Sequence, residues 1–397
     1  MDEVVIVAAV RTPVGKFQGM FAPLTAVQLG AAAVREVVRR AGLESGFDAV
    51  LVDECILGNV LPAGLGQNPA RQAALFGGLA QETAALTINK VCGSGLKAVA
   101  LGVQAIQTGN AEVVVAGGME SMTNAPYLLP QGRQGFRMGD AAVVDSMVRD
   151  GLWDVYNDFH MGITAEMVAE KYGISREEQD VFALESHRRA AAAWAAGYFD
   201  AEVVPVEVAG RKGAVTVCAR DESIRPELTL EALAALKPAF KKDGTVTAGN
   251  APGVNDAAAA VLLMSASKAR ELGIAPMATI RGQATSGVAP EWVMMAPVSG
   301  VRKLLDRVGW ERDSVDLFEL NEAFAVQALA VTRELGLDAA RVNVHGGAVA
   351  IGHPIGASGA RVLVTLIHAM IARGARRGVA ALCLGGGNSV AMAIERP

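Results

Sequence analysis

Reactive groups are most concentrated at Asn89-Lys90-Val91-Cys92-Gly93-Ser94-Gly95-Leu96, where a β-type run (Ala85 to Ile88) gives way to a helix of small residues (Leu96 to Thr108). A thiol at such an elbow faces unpaired backbone N–H groups at the positive end of a helix dipole, which favours thiolate and makes Cys92 a candidate nucleophile. A free cysteine is as readily a small buried hydrophobe. Gly93 and Gly95 tilt the reading towards chemistry, because glycines let backbone N–H groups approach a ligand. A second thiol, Cys383, ends a buried run at Cys383-Leu384-Gly385-Gly386-Gly387. Core packing would place it there too, but the glycine run has the composition of an oxyanion nest. Among five histidines, His353 stands on a loop made rigid by Pro354 and flanking glycines, just before a helix, where a base would be held still. His160, in Phe159-His160-Met161-Gly162, is placed to touch a ligand; His187, beside Arg188-Arg189, reads as exposed; His345 and His368 have no comparable setting. Asn321, in Asn321-Glu322-Ala323-Phe324, ends another buried strand, where a polar group needs a hydrogen-bond partner and could orient a water.

The elements that position these groups read as layered α/β architecture. Val4 to Ala9 is a continuous, β-branched strand of the buried kind. Thr25 and Gln28 have capping-box spacing before an amphipathic helix closed by Gly42. A strand from Asp48 to Leu57, a helix from Pro69 to Gly77, the strand leading to Cys92, its helix, and a strand from Val113 to Ala116 ending at Gly117-Gly118-Met119-Glu120 follow. From Met277 the order recurs: strand (Met277 to Gly282), helix closed by Gly309, strand (Val315 to Leu320), a helix opened by Ala357-Ser358-Gly359, strand (Val379 to Leu384). Two related halves follow, and a pseudo-two-fold pairing would bring the two small-residue helices together with their ends in one cleft. Between them, from Ser121 to about Gly249, lies a polar, Met-rich insertion with a capping box at Ser175–Glu178. Its late basic residues (Arg211, Lys212, Arg220, Arg225, Lys237, Lys241 and Lys242) form either a solvated face or a site for a phosphate-bearing ligand.

At 397 residues the chain exceeds one typical core, so two or three domains or a duplicated one are expected. Hydrophobic residues are 51% but aromatics only 5%, so the interior must be built from Ala, Val, Leu and Gly. With 36 Lys+Arg against 41 Asp+Glu there is no basic surplus, which argues against a nucleic-acid partner. Four cysteines without a CxxC pair signal neither a disulfide framework nor a zinc site. With no charged leader and no long unbroken apolar run, a soluble cytoplasmic protein without a membrane partner is expected.

Five motifs, Val91-Cys92-Gly93-Ser94-Gly95, His160-Met161-Gly162-Ile163-Thr164-Ala165-Glu166, Asn321-Glu322-Ala323-Phe324, Gly352-His353-Pro354-Ile355-Gly356 and Cys383-Leu384-Gly385-Gly386-Gly387, resemble the thiolase signatures, in family order along nearly the entire chain. The resemblance implies an α/β fold of duplicated halves in a layered αβαβα arrangement with an inserted loop domain. The halves would be residues 1–121 with 250–272, and 273–397, with 122–249 as the loop domain. It implies that Cys92 is acylated, that His353 activates it, and that Cys383 shuttles the proton at the substrate's α-carbon. One oxyanion hole would be His353 with a water held by Asn321; the other, the N–H groups of Cys92 and Gly385. In the coenzyme-A-binding set, Arg225 would lie near the adenine, Leu152 and Phe240 would wall the pocket, His160 and Met161 would line the acyl site, and Phe324 would join them. The pair His160-Met161 is most like the short-chain, acetoacetyl-CoA-type members. Acetyl-CoA, acetoacetyl-CoA or other 3-ketoacyl-CoA, and CoA would be substrates, with no further cofactor and no metal. A homo-oligomer is implied, a tetramer by the stretch from Met122 to Met138. Two departures stand out: Ala251-Pro252-Gly253 where many members have Ala-Ser-Gly, and Val293-Met294-Met295-Ala296-Pro297 where the family has Met-Gly-x-Gly-Pro. Competing readings are a broader-chain degradative 3-ketoacyl-CoA thiolase, a decarboxylating ketoacyl synthase, and a non-catalytic acyl-CoA or lipid-binding protein on this scaffold.

Overall fold

The computed structural model describes residues 2–43, 52–210 and 213–397. Residues Asp48 to Leu51 of one expected strand, and Arg211 and Lys212, lie outside the described residues. Nine strands build the main sheet: β1 (Val4–Arg11), β2 (Glu54–Gly58), β3 (Ala84–Ile88), β4 (Val113–Ser121), β5 (Asn255–Ser265), β6 (Ala278–Gly287), β7 (Leu317–Leu320), β8 (Arg377–Leu384) and β9 (Asn388–Glu395). They lie side by side as β7-β8-β9-β6-β1-β5-β4-β2-β3, and the short strand Gly15–Lys16 adds to β5.

The duplication is explicit in this order. In one half β1, β5 and β4 run antiparallel in turn and β2 runs parallel to β4. In the other, β6, β9 and β8 are antiparallel in turn and β7 is parallel to β8. The two leading strands even carry an irregularity at the matching place, between Ile6 and Ala8 and between Ile280 and Gly282. Within the sheet the halves pair, among the described residues, at two rungs, Val5 with Thr279 and Ile6 with Ala278. Where β3 lies beside β2, the second half has the single parallel bridge of Phe318 with Val342.

Helices α1 (Ala26–Arg40), α2 (Pro69–Phe76), α3 (Ser94–Gln107), α4 (Met161–Tyr172), α5 (Arg176–Ala195), α6 (Ala296–Val308), α7 (Ala325–Glu334) and α8 (Ile355–Arg373) complete the layers. Alternation along the strands sets those layers, since successive side chains point to opposite faces. On β4, Val113 and Val115 join an outer core with Val27, Val34 and Val37 of α1, whereas Val114 and Ala116 join a central core with α3 and α8. On β8, Ala380 and Leu382 face that central core, while Val379 and Ala381 meet Val301 and Leu304 of α6 in a second outer core. The result is helix, sheet, helix, sheet, helix. Helix α8 is long and apolar enough to cross a membrane, but 89% of its most apolar window is buried, so it is the core helix of the central layer. The central pair packs closely at its N-terminal ends: a Cβ on Gly95 would stand 2.6 Å from the Ala360 nitrogen, and one on Gly359 would overlap the Leu96 nitrogen.

One local expectation is corrected. The glycines after Ala116 do not end β4, because Gly117 and Gly118 continue the ladder opposite Ala260 and Ala259. Gly385 to Gly387 are the turn of a hairpin whose returning strand, β9, fills the place between β8 and β6. The insertion holds three two-stranded pairings, α4, and α5 with the expected capping box on Ser175 and Glu178.

Candidate active site

Cys92 sits between β3 and α3, immediately before the Gly93 cap. The turn holding it is strained, for Val91 has φ 47°, a left-handed conformation that a β-branched residue adopts only when its surroundings impose it. Those surroundings are visible. The Val91 N–H donates to Asn89 Oδ1 (2.9 Å), and its carbonyl accepts from the Ser94 hydroxyl (2.7 Å) and N–H (3.0 Å).

His353 precedes α8 on a loop pinned by its own N–H, which donates to Asn255 Oδ1 (2.8 Å); Asn255 in turn donates to the Gly15 carbonyl (2.9 Å). The Ser358 hydroxyl donates to the Pro354 carbonyl (2.9 Å) and lies 2.7 Å from His353 Nδ1. With that hydroxyl's one proton committed, Nδ1 carries the ring hydrogen and the lone pair is left on Nε2. Cys383 ends β8, and Gly385 follows in the hairpin turn.

These groups converge. Cys92, His353, Cys383 and Gly385 line one cavity of about 230 Å³, whose walls include Leu152, His160, Met161, Phe240 and Phe324. The aromatic wall is built in steps: His160 caps α4 by accepting from the Gly162 N–H (3.0 Å), its ring stacks on Phe240 (4.8 Å between centroids), and Phe240 meets Phe324 edge-on (6.1 Å). Both departures noted in the sequence are there too, as Pro252, Val293 and Met294. Asn321 does not line the cavity; it is 1% exposed, and among the described residues neither its side-chain oxygen nor its nitrogen has a partner. A buried amide with both polar atoms open is the setting for a bound water. Arg225 is elsewhere as well, in an adjoining cleft of about 370 Å³ with Lys16, His187 and Ser223 that shares Ala251, Gly253 and Val254 with the catalytic cavity.

His187 is not exposed. It is 3% accessible and its Nδ1 accepts from the Arg225 N–H (3.1 Å), so it holds the backbone of the basic residue in place. Its neighbours in sequence are polar, but α5 turns Ala183, His187 and Ala190 to the inside.

The electrostatics also correct the expectation of a standing thiolate. Burial pushes the Cys92 thiol up to about 12, outweighing the opposing pull of its own N–H and that of Gly385. Cys383 is raised further by burial and by the neighbouring Cys92. Burial, helped by the charge of Arg361, drives His353 down to about 3, which favours the neutral imidazole. All three shifts favour the uncharged forms.

Sequence reasoning passed over Asn255, Ser358 and Glu120. Glu120 is fully buried and accepts four hydrogen bonds, from Asn59 Nδ2 (2.6 Å) and the N–H groups of Val60 (3.0 Å), Leu61 (3.2 Å) and Gly356 (2.9 Å). An acid closing a continuous apolar strand, and Asn255 opening another, were the available signals, since polar groups in such places must be bonded to something.

A duplicated five-layer α/β sandwich with two thiols and an imidazole around one cavity defines a cysteine-centred fold of the covalent-transfer class. The family models agree in detail. Residues 4–267 match the thiolase N-terminal domain and residues 274–396 the thiolase C-terminal domain. The chain belongs to the thiolase family. It is 58% identical over 396 residues to an acetyl-CoA acetyltransferase of Pseudomonas aeruginosa and 56% identical over 396 residues to one of Cupriavidus necator, covering 100% of each chain in both cases. The crystal structure of the Bacillus anthracis acetyl-CoA acetyltransferase superposes with a TM-score of 0.97 at 45% identity, over 100% of this chain and 99% of that one.

Proposed function

We propose that the protein is an acetyl-CoA acetyltransferase that reversibly condenses two acetyl-CoA molecules to acetoacetyl-CoA and CoA through an acyl-Cys92 intermediate. The observation that carries this reading is the convergence of Cys92, His353 and Cys383 on one cavity of about 230 Å³. In the first half-reaction His353 Nε2 takes the Cys92 proton as the sulfur adds to the thioester carbonyl. The bond to CoA breaks, and the Cys383 thiol gives its proton to the departing sulfur. Cys383, now a thiolate, takes a proton from the methyl of the second acetyl-CoA. The resulting carbanion attacks the acyl carbon, the bond to Cys92 breaks, and the imidazolium returns its proton to that sulfur. Every proton is restored. The N–H groups of Cys92 and Gly385 would stabilise the tetrahedral oxyanion, and His353 with a water on Asn321 the enolate oxygen. Residues 122–249 form the coenzyme-A-binding loop domain in this reading, with Arg225 at the adenine and Leu152, His160, Met161, Phe240 and Phe324 around pantetheine and acyl group; residues 1–121 with 250–272, and 273–397, are the halves it serves.

Radiolabelled acetyl-CoA followed by peptide mapping tests the reaction: label on Cys92 is expected, and label elsewhere or full turnover by Cys92→Ala rejects it. With His160, Phe240 and Phe324 among the walls of a cavity of about 230 Å³, this reading expects activity with 3-ketoacyl-CoA substrates to fall as the chain lengthens. We also propose a homotetramer in the cytoplasm. Tyr127, Leu129, Phe136 and Met138 lie exposed on the segment after Met122, an apolar surface suited to burial between copies, and four free cysteines suit a reducing compartment. Light scattering at about micromolar concentration would show four copies; a monomer would reject it.

A further inference from the structure

Cys92 belongs to one half and His353 and Cys383 to the other, and the His353 loop is tied to the first half at His353 itself, whose N–H donates to Asn255 Oδ1 (2.8 Å), and again a few residues further on. Glu120, at the end of β4, supplies the second tie. Its Oε2 accepts from the N–H of Val60 (3.0 Å) in the first half and from the N–H of Gly356 (2.9 Å) in the second, three residues beyond His353. Its Oε1 accepts from Asn59 Nδ2 (2.6 Å) and the Leu61 N–H (3.2 Å). The Asn59 to Leu61 segment leads to the cavity side of the molecule, where Leu61 and Val60 pack with Met122 and Ile355 against Cys92. All four donors point at one carboxylate that no water can reach, and such an acceptor is costly to remove.

We propose that Glu120 is a positioning residue for catalysis: it clamps the His353 loop to the Asn59–Leu61 segment, whose Val60 and Leu61 pack in the cluster against Cys92, setting the distance from imidazole to thiol without touching substrate. This rests on the proposed reading of His353 as the base for Cys92. A carboxylate can satisfy two donors on each oxygen, whereas an amide cannot, because one end of Gln presents its own N–H groups to donors. Burial raises the Glu120 carboxyl to about 7, against the opposing pull of those four donors.

The test is a double-mutant cycle on the full-length protein, reading the rate at which Cys92 is alkylated by iodoacetamide and the turnover per titratable Cys92. Glu120→Gln should slow both by roughly 10²-fold, the scale for misplacing a catalytic group by about an ångström, with KM for acetyl-CoA little changed. In a His353→Asn background the same substitution should change alkylation by less than about twofold, because the base it positions is already gone. Equal slowing in both backgrounds overturns the proposal while leaving the role of His353 intact. If His353→Asn alone leaves alkylation unchanged, the reading of His353 fails instead. Should Glu120→Gln not fold, Asn59→Ala removes one of the four donors and must show the same dependence on His353 at smaller size; an equal effect in both backgrounds again overturns it.

Discussion

The N-terminal ends of α3 and α8 are the same piece of architecture used twice, and they differ where chemistry needs them to. Gly95 and Gly359 occupy matching places, each meeting the other helix one residue on, at Ala360 and Leu96. One residue before each is a serine that ties down the preceding turn: Ser94 donates to the Val91 carbonyl (2.7 Å) and Ser358 to the Pro354 carbonyl (2.9 Å). In the first half that serine also accepts from a backbone N–H, of Lys90 (2.8 Å); in the second it meets the imidazole of His353 instead (2.7 Å). The strand ends diverge likewise. Registering β5 on β9 through their ladders puts Met119, in an outer core, where the second half has Cys383. A duplicated scaffold thus supplies two equivalent, rigid platforms, and single side chains on them divide the work between nucleophile and bases.

That division can be broken in order of effect. Cys92→Ala should abolish acylation, a loss of at least about 10³-fold in turnover, whereas Cys383→Ala should still take up label on Cys92 while condensation drops about 10²–10⁴-fold. Simultaneous loss of both steps in Cys383→Ala would show that the halves are not separable. His353→Asn should slow acylation by about 10²–10⁴-fold. Because burial lowers His353 to about 3, its neutral form persists well below the ordinary histidine range. Stopped-flow acylation should therefore show no acid limb between about pH 8 and 5.5, and a fall centred near the unperturbed histidine value would contradict the burial argument. Gly95→Ala and Gly359→Ala should each cost about 1–3 kcal/mol by overpacking the helix contact, read as matching decreases in denaturant midpoint. Unequal losses would mean that the two contacts are not equivalent. Smallest and most diagnostic are the serines. Ser94→Ala should lose about 1 kcal/mol of stability with modest change in turnover per folded molecule, while Ser358→Ala should lose turnover by about tenfold, since it alone orients a reacting ring.

How much of this was legible depends on how far a residue's partners lie along the chain. Cys92, His353 and Cys383 could be picked out because each ends or flanks an apolar element beside glycine or proline, a local pattern. The capping boxes of α1 and α5 are local as well, and both form as expected. Glu120 and Asn255 could not be assigned, because the groups they bind, the N–H of Gly356 and of His353, are 236 and 98 residues away. His187 was misread from adjacent charges, although helical spacing from Ala183 and Ala190 placed it on the inner face.

Composition and pattern pointed to groups that can react, to a layered α/β chain of two related halves, and to the helices that Cys92 and His353 precede. Those properties follow from side-chain type and from contacts within a few residues. Tertiary structure alone decided the surroundings in which the groups wait: burial that favours the thiol where the helix end argued for a thiolate, a serine hydroxyl at Nδ1 that leaves the imidazole lone pair on Nε2, and a buried Glu120 carboxyl joining the halves. Desolvation and long-range hydrogen bonds depend on what surrounds an atom in space, and the linear order of residues does not specify that directly.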